Sequence, residues 1–393
     1  MANVKGGTSM QKEKWAFSTR AIQSGESVDS VTRALNTPIY QTSTFAFESA
    51  RDKEAAVDEG MSWTPDTYFY SRTGNPTTAA LEKKMASLEG AEDAVVTASG
   101  MSACATALLS ILNAGDHCIA SSDLFTITQS LLDDVFDAKG IKVTRIDTND
   151  IADVTEHIRS NTKAIFVESL SNPHMNVADI PNLSKIAHEN GLYLIVDNTF
   201  LSPYLLRPLE FGADLVVHSA TKYIAGHGDA LAGAVAGDKS LVDRVRYYLD
   251  NLGAPVSPFN SWLILRGLRT LPLRMRAHSL NGQAVAELLE SRPEVEFVLY
   301  PGLKSHPHYD VAQKLLRDGN GGMIALRLHG GAEAMEAFAA NLELSAIAVS
   351  LGDVRSLVYP MPKRQNLIRL SIGCEDAGDL CSDFIQALNK ISS

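Results

Sequence analysis

From residue 76 to residue 237 the chain repeats one pattern, a short apolar run followed by a turn and a helix signal. The strand-like runs fall at 94–97, 117–120, 142–146, 164–167, 192–196 and 215–217, and 232–236 adds one more, of antiparallel type. Helix signals fill the gaps at 76–88, 102–112, 128–138, 151–159 and 180–189. Strands joined by helices cannot pair as hairpins, so they line up in parallel, with both faces covered by helices. The spacing therefore predicts an α/β fold with a large, mostly parallel sheet. The first helix is the best marked: Asn75 is a good N-cap, Pro76 suits the first helical position and Gly90 suits the end.

On either side the pattern stops. Residues 1–14 are polar and read as a disordered tail, and 15–75 as an irregular arm with Pro38 and Pro65. Beyond 241, helix signals dominate to 290. A smaller α+β region follows, with strands expected at 295–299, 323–328, 346–350 and 368–372. The expected division is a tail and inter-subunit arm at 1–75, a ligand-binding α/β domain at 76–265 and a C-terminal α+β domain at 266–393. A chain of 393 residues can bury a core of that size.

In open α/β sheets, ligands bind beyond the carboxyl ends of the strands. Val196-Asp197-Asn198-Thr199 ends one apolar run, and His218-Ser219-Ala220-Thr221-Lys222-Tyr223 follows the next. A lysine so placed can form a Schiff base, and an aspartate nearby can hold a pyridinium nitrogen protonated. Together they suggest pyridoxal phosphate; alone, Lys222 reads as a solvated surface charge. Ser99-Gly100-Met101-Ser102 joins a strand to a helix, where free backbone N–H groups attract an anion. Ser219 and Thr221 can add hydroxyls, and Arg72 of the arm can complete a phosphate clamp, unless it is a solvated loop charge. Phe125 follows a strand end at the same edge, where its ring either stacks on a flat ligand or packs in the core. Arg369 is a charge inside an apolar strand and demands a partner, either a substrate carboxylate or an acid of the other domain.

Composition narrows the partners. The net charge of −11 disfavours nucleic acid and anionic membranes. Cys104, Cys118, Cys374 and Cys381 have no metal or disulfide spacing, His306-Pro307-His308 lacks a third ligand, and no metal is expected. No apolar run nears the ~20 residues of a membrane span, and the first residues lack the apolar core of a signal peptide. A cytoplasmic protein acting on a small molecule is expected.

Several segments, in order, resemble one family: Tyr70-Ser71-Arg72-Thr73-Gly74-Asn75-Pro76-Thr77, Ser99-Gly100-Met101, Val196-Asp197-Asn198-Thr199, the Lys222 segment, Ala348-Val349-Ser350-Leu351-Gly352 and Ile368-Arg369-Leu370-Ser371. They are similar to the pyridoxal-phosphate enzymes of cysteine and methionine metabolism, among them methionine γ-lyase, cystathionine γ-synthase and O-acylhomoserine sulfhydrylase. The resemblance runs from about residue 15 to the C-terminus. It implies an aspartate-aminotransferase-like (type I) fold and a homotetramer of dimers with shared active sites. By position, it implies that Lys222 carries pyridoxal 5'-phosphate as a Schiff base and moves protons, and that Asp197 pairs with the ring nitrogen. Gly100, Met101, Ser219 and Thr221 would hold the phosphate, and Asn172 would lie near the phenolic oxygen. Tyr70 and Arg72 would reach the phosphate of a neighbouring subunit, while Arg369 and the Ser350 backbone would bind the carboxylate of an amino-acid substrate. The implied reaction is γ-elimination from an L-amino acid with a heteroatom on Cγ, or γ-replacement at the same carbon; β-elimination from cystathionine is a third option, and a non-catalytic cofactor-binding or scaffold protein a fourth.

Two departures bear on substrate. Where the family carries a tyrosine stacked on the ring, this chain has Phe125-Thr126-Ile127, so the phenol that assists proton transfer is gone. Tyr70 is the nearest replacement acid. Thiolate release from methionine would suffer most. An acyl ester, or the hydroxyguanidine of canavanine, would suffer less. The stretch from Ser350 to Arg369 is also short, which should reshape the entrance and admit a longer side chain.

Overall fold

The computed structural model of the chain describes residues 15–58 and 68–391. The expected tail at 1–14 and Pro65 of the arm lie outside them. Seven strands form the large sheet: β1 (Asp93–Thr97), β2 (His117–Ser121), β3 (Lys142–Ile146), β4 (Thr162–Glu168), β5 (Tyr193–Asp197), β6 (Leu215–His218) and β7 (Gly233–Gly237). Their order is β1-β7-β6-β5-β4-β2-β3. Pairs among β2 to β6 are parallel, and β7 runs antiparallel to both β1 and β6. The tips of β2, β4, β5 and β6 therefore open on one edge. Alternate residues feed two separate cores. Ile165, Val167, Leu194, Val196 and Val216 face one, and Ala164, Phe166, Ile195, Leu215 and Val217 face the other. That period of two explains why the strands read as unbroken apolar runs.

The helices are closed by local chemistry. Helix Pro76–Glu89 starts with Thr77 N–H donating to the Asn75 side chain and ends at Gly90 with φ 74°. Helix Gly100–Leu109 starts with a reciprocal Ser99–Ser102 capping box. The expected helix at 128–138 differs: Thr126–Ser130 is α-helical, Leu131–Phe136 is π-helical and Asp137–Lys139 is a 3-10 turn.

The second sheet has the order β10-β11-β12-β9-β8, from β8 (Val295–Leu299), β9 (Met323–Leu328), β10 (Ala346–Ile347), β11 (Leu357–Met361) and β12 (Leu367–Ser371). Two expectations need correction. The strand expected at 346–350 is paired only at Ala346–Ile347, and β11 is a strand that the sequence reading missed. Pro360 speaks against a central strand. It is tolerated because β10 pairs only with Leu357 and Val358, so β11 is an edge at Pro360 and no N–H is missed. One face of this sheet packs on helices Leu271–Glu290, Gly331–Asn341 and Ala377–Asn389, while Met323, Ala325 and Leu367 join the core of the large sheet.

The arm is less irregular than its composition suggests, since it contains helices Phe17–Gln23 and Ala50–Asp58. The first is held from outside. The buried Lys84 ammonium donates to the carbonyls of Ala21 and Ile22 and pairs with Glu26 at 2.5 Å.

Candidate active site

A cavity of about 530 Å³ opens over the tips of β4, β5 and β6 and runs out to β11 and β12. Gly100, Met101, Phe125, Asn172, Asp197, Ser219, Thr221, Lys222 and Arg369 all line it. Ser350 adjoins it, since Lys222 Nζ donates to Ser350 Oγ at 3.0 Å. Residues spread over 270 positions thus meet because parallel strands of the large sheet end on one edge and β11 and β12 of the second sheet close over it.

The end near Gly100 is built for an anion. The first N–H groups of a helix, here those of Gly100 and Met101, have no acceptor within it. Gly100 must stay a glycine, because a Cβ there would lie 2.6 Å from the Ser219 Cβ. That close approach brings the Ser219 and Thr221 hydroxyls beside the helix start. Ser219 is fixed by its own N–H, which donates to Thr199 Oγ1 at 2.8 Å.

Two carboxylates line the middle of the cavity, on adjacent strand tips. Asp197 Oδ1 accepts from the Thr199 N–H at 3.0 Å and hydroxyl at 2.5 Å, while among the described residues Oδ2 has only the Cys104 thiol, at 3.7 Å. Glu168 has both oxygens engaged, by the backbone N–H groups of Phe125 and Asn172. Burial raises both carboxyls above their usual range. Asp197 is therefore the acid with an oxygen to spare for a cationic N–H, whose charge would offset the cost of burial.

Lys222 lies at the centre. Burial, and then the charge of Arg369, lower its pKa below that of an ordinary lysine, so its amine is more readily neutral. Gly352, at φ 73°, packs against the Lys222–Tyr223 backbone, where a Cβ would meet Tyr223 N at 2.6 Å. This contact brings the 349–352 loop within reach of Lys222.

Arg369 is 4% exposed and has no acidic partner among the described residues. Its guanidinium donates to Asn172 Oδ1 at 3.0 Å and to the carbonyls of Val349 and Ser350 at 2.9 and 3.2 Å. It also lies 5.1 Å from the ring centre of Tyr359, its cross-strand neighbour on β11. Burial lowers its pKa to about 10. A buried cation held only by neutral groups has charge to offer a carboxylate. The inter-domain salt bridge considered for it does not form among the described residues.

The short segment before Arg369 has a definite shape. Residues 362–366 turn tightly between β11 and β12, with Arg364 N–H donating to the Met361 carbonyl and Leu367 N–H to that of Arg364. This turn puts Tyr359, Met361 and Arg364 on the cavity wall, and Arg364 reaches Thr126 Oγ1 at 3.5 Å. None of these three was singled out from the sequence, nor were Glu168, Cys104 and Thr199. For Glu168 a signal was available: an acid directly after an apolar strand, like Asp197. Tyr70 and Arg72 do not line the cavity. They lie together on the arm, with the Arg72 guanidinium 5.4 Å from the Tyr70 ring centre.

The donor set fits pyridoxal phosphate: free N–H groups and hydroxyls at one end, a half-free, half-buried carboxylate in the middle, and a half-buried lysine in the same cavity. Fold and cavity define the class, a pyridoxal-phosphate-dependent enzyme of the aspartate-aminotransferase-like α/β type. The chain belongs to the Cys/Met metabolism PLP-dependent enzymes, whose family model matches residues 18–389. The L-methionine gamma-lyase of Treponema denticola is 42% identical over 401 residues, covering 96% of this chain and 98% of that protein. The L-methionine gamma-lyase of Pseudomonas putida is 42% identical over 390 residues, covering 95% and 97%. The cystathionine beta-lyase of Lactococcus lactis is 40% identical over 392 residues, covering 95% and 99%. The crystal structure of metB from Corynebacterium glutamicum superposes with a TM-score of 0.90 at 40% identity, covering 96% of this chain and 99% of that one.

Proposed function

We propose that this chain is a γ-lyase acting on an L-amino acid with a heteroatom on Cγ, and that it favours an oxygen-linked leaving group, as in canavanine, over the thiolate of methionine. The observation that carries the preference is Phe125, which lines the cavity at the place of a phenol but has no acid to give. The relatives named for methionine and cystathionine support the elimination chemistry.

In this reading Gly100, Met101, Ser219 and Thr221 would hold the phosphate, Asp197 Oδ2 would accept from the ring nitrogen and Lys222 would hold the aldehyde carbon. Pyridoxal phosphate, when bound, supplies a sink for the electron pair left at Cα. Arg369 binds the substrate carboxylate, with Ser350 and Asn172 fixing its guanidinium. Lys222, once released, would take the proton from Cα and deliver it onward before taking a second one from Cβ, and the substituent would leave Cγ with its bonding pair. A lysine with a lowered pKa suits that shuttle. Tyr70 and Arg72 complete the phosphate site of a neighbouring subunit in a cytoplasmic homotetramer, Tyr70 standing in as the acid.

The test is a panel of methionine, cystathionine, O-acetylhomoserine and canavanine, with consumption and products followed for each. Canavanine, or another oxygen-linked substrate, should be consumed fastest; a strong preference for methionine overturns the reading. Acceleration by added sulfide or cysteine, with a thiol or thioether product, would establish γ-replacement instead.

A further inference from the structure

Glu168 lines the same cavity, and the reaction above leaves it without a task. It is an expensive residue to keep there. It sits on β4 in register with Asp197 of β5, so two carboxylates share one buried strand edge. Burial and the Asp197 charge both oppose its ionisation. A group in that position must earn partners, and its partners are telling. Phe125 N–H donates to Oε1 at 2.6 Å and Asn172 N–H to Oε2 at 3.1 Å. These amides belong to two separate loops, one after β2 and one after β4.

Each loop then presents a different working surface. Phe125 offers its ring to the cavity. Asn172 accepts from Arg369, Arg369 holds the Ser350 carbonyl, and the Ser350 hydroxyl accepts from Lys222. We infer that Glu168 is a positioning residue that sets Phe125 against the cofactor ring and Asn172 against Arg369, so that one side chain aligns ring stacking with carboxylate binding. This rests on the cofactor-site reading above, and not on the identity of the leaving group. Asp123 also joins the two loops, through Ser171, His174 and Asn176, but Glu168 is the carboxylate that holds the Phe125 and Asn172 amides themselves, so removing one of its bonds should loosen both surfaces.

The experiment uses Glu168→Gln in the full-length protein. The amide keeps the shape but turns an NH2 towards one of the two N–H donors, so one bond is lost and one stays. Three quantities are read: the dissociation constant for pyridoxal phosphate added to the apoprotein, the affinity of the holoenzyme for L-norleucine from the cofactor absorbance, and the melting temperature. L-Norleucine has no leaving group, so the result stands even if the proposed elimination fails. Both affinities should weaken about tenfold. In a Phe125→Ala background, Glu168→Gln should add less than twofold to the loss of cofactor affinity, because the ring it positions is gone. Affinities within twofold of the wild type, whatever the melting temperature, would overturn the inference, as would fully additive losses in the double variant. If Glu168→Gln does not fold, Glu168→Asp, which keeps the charge but cannot span both amides, gives the same readouts.

Discussion

The cavity has two unlike sides. Its inner side is made by the tips of parallel strands, and its outer side by an antiparallel hairpin and the loop at 349–352. On the inner side Asp197, Ser219, Thr221 and Lys222 each end a strand or follow one by a few positions, so sheet geometry brings them together. On the outer side, Tyr359, Met361 and Arg364 line the cavity only because residues 362–366 turn so tightly. Parallel strand tips hold what every reaction of the family needs, and a short turn can be rebuilt without disturbing them. The outer side can thus vary without disturbing the strand tips, while Phe125, the residue proposed to set the leaving group, belongs to the inner side.

Variants can test that division. The largest effect should come from the inner side: Lys222→Ala should lower turnover about ten-thousandfold, the upper range for losing a positioned acid–base group, and abolish the cofactor absorbance of the lysine-bound form. A variant that kept substantial turnover would remove Lys222 from the centre of the chemistry. Next is Arg369→Lys on the boundary. It keeps a charge but loses the planar fork, so KM for any amino-acid substrate should rise roughly ten- to hundredfold, with cofactor affinity unchanged. A matching loss of cofactor affinity would show that the two sides are not separable.

Phe125→Tyr restores the phenol. Turnover of methionine relative to canavanine should rise roughly tenfold, measured as the ratio of kcat/KM values. No change in that ratio would move substrate choice from Phe125 to the hairpin. The smallest effect is on stability. Burial, and then the Arg274 charge, depress the pKa of His278 to about 4, and burial does the same for His117. A histidine depressed in the folded state binds its proton more readily when unfolded. Stability should therefore be constant above about pH 6.5 and fall progressively down to pH 4. His278 Nδ1 donates to the Ile372 carbonyl just past β12, whereas His117 lies between Thr144 and Thr162 in the large sheet. Replacing each by Gln and recording melting temperature against pH would show which region yields first; a flat profile in the wild type would remove both.

Much of the inner side was legible in the sequence because its elements are defined locally. Asn75, Pro76 and Gly90 mark their helix within the chain itself, and the strands have apolar runs long enough to see. Glu168 was equally visible, one residue after Val167, but no short motif marks a residue whose work is done through two backbone amides. β11 was hidden by Pro360, whose cost vanishes only at an unpaired edge. Helix Phe17–Gln23 was hidden for a similar reason. Its carbonyls are satisfied by Lys84, more than sixty residues away.

By itself, then, the sequence determined the parallel sheet, the lysine and acid at its edge, the family and the cofactor, because period, caps and strand-end motifs act over a few residues. Only the tertiary structure decided which carboxylate has a free oxygen, that Arg369 is held by neutral groups, and that Arg364 stands at the mouth. Those facts depend on which distant backbone groups meet, and hydrogen bonds between loops leave no period in the chain.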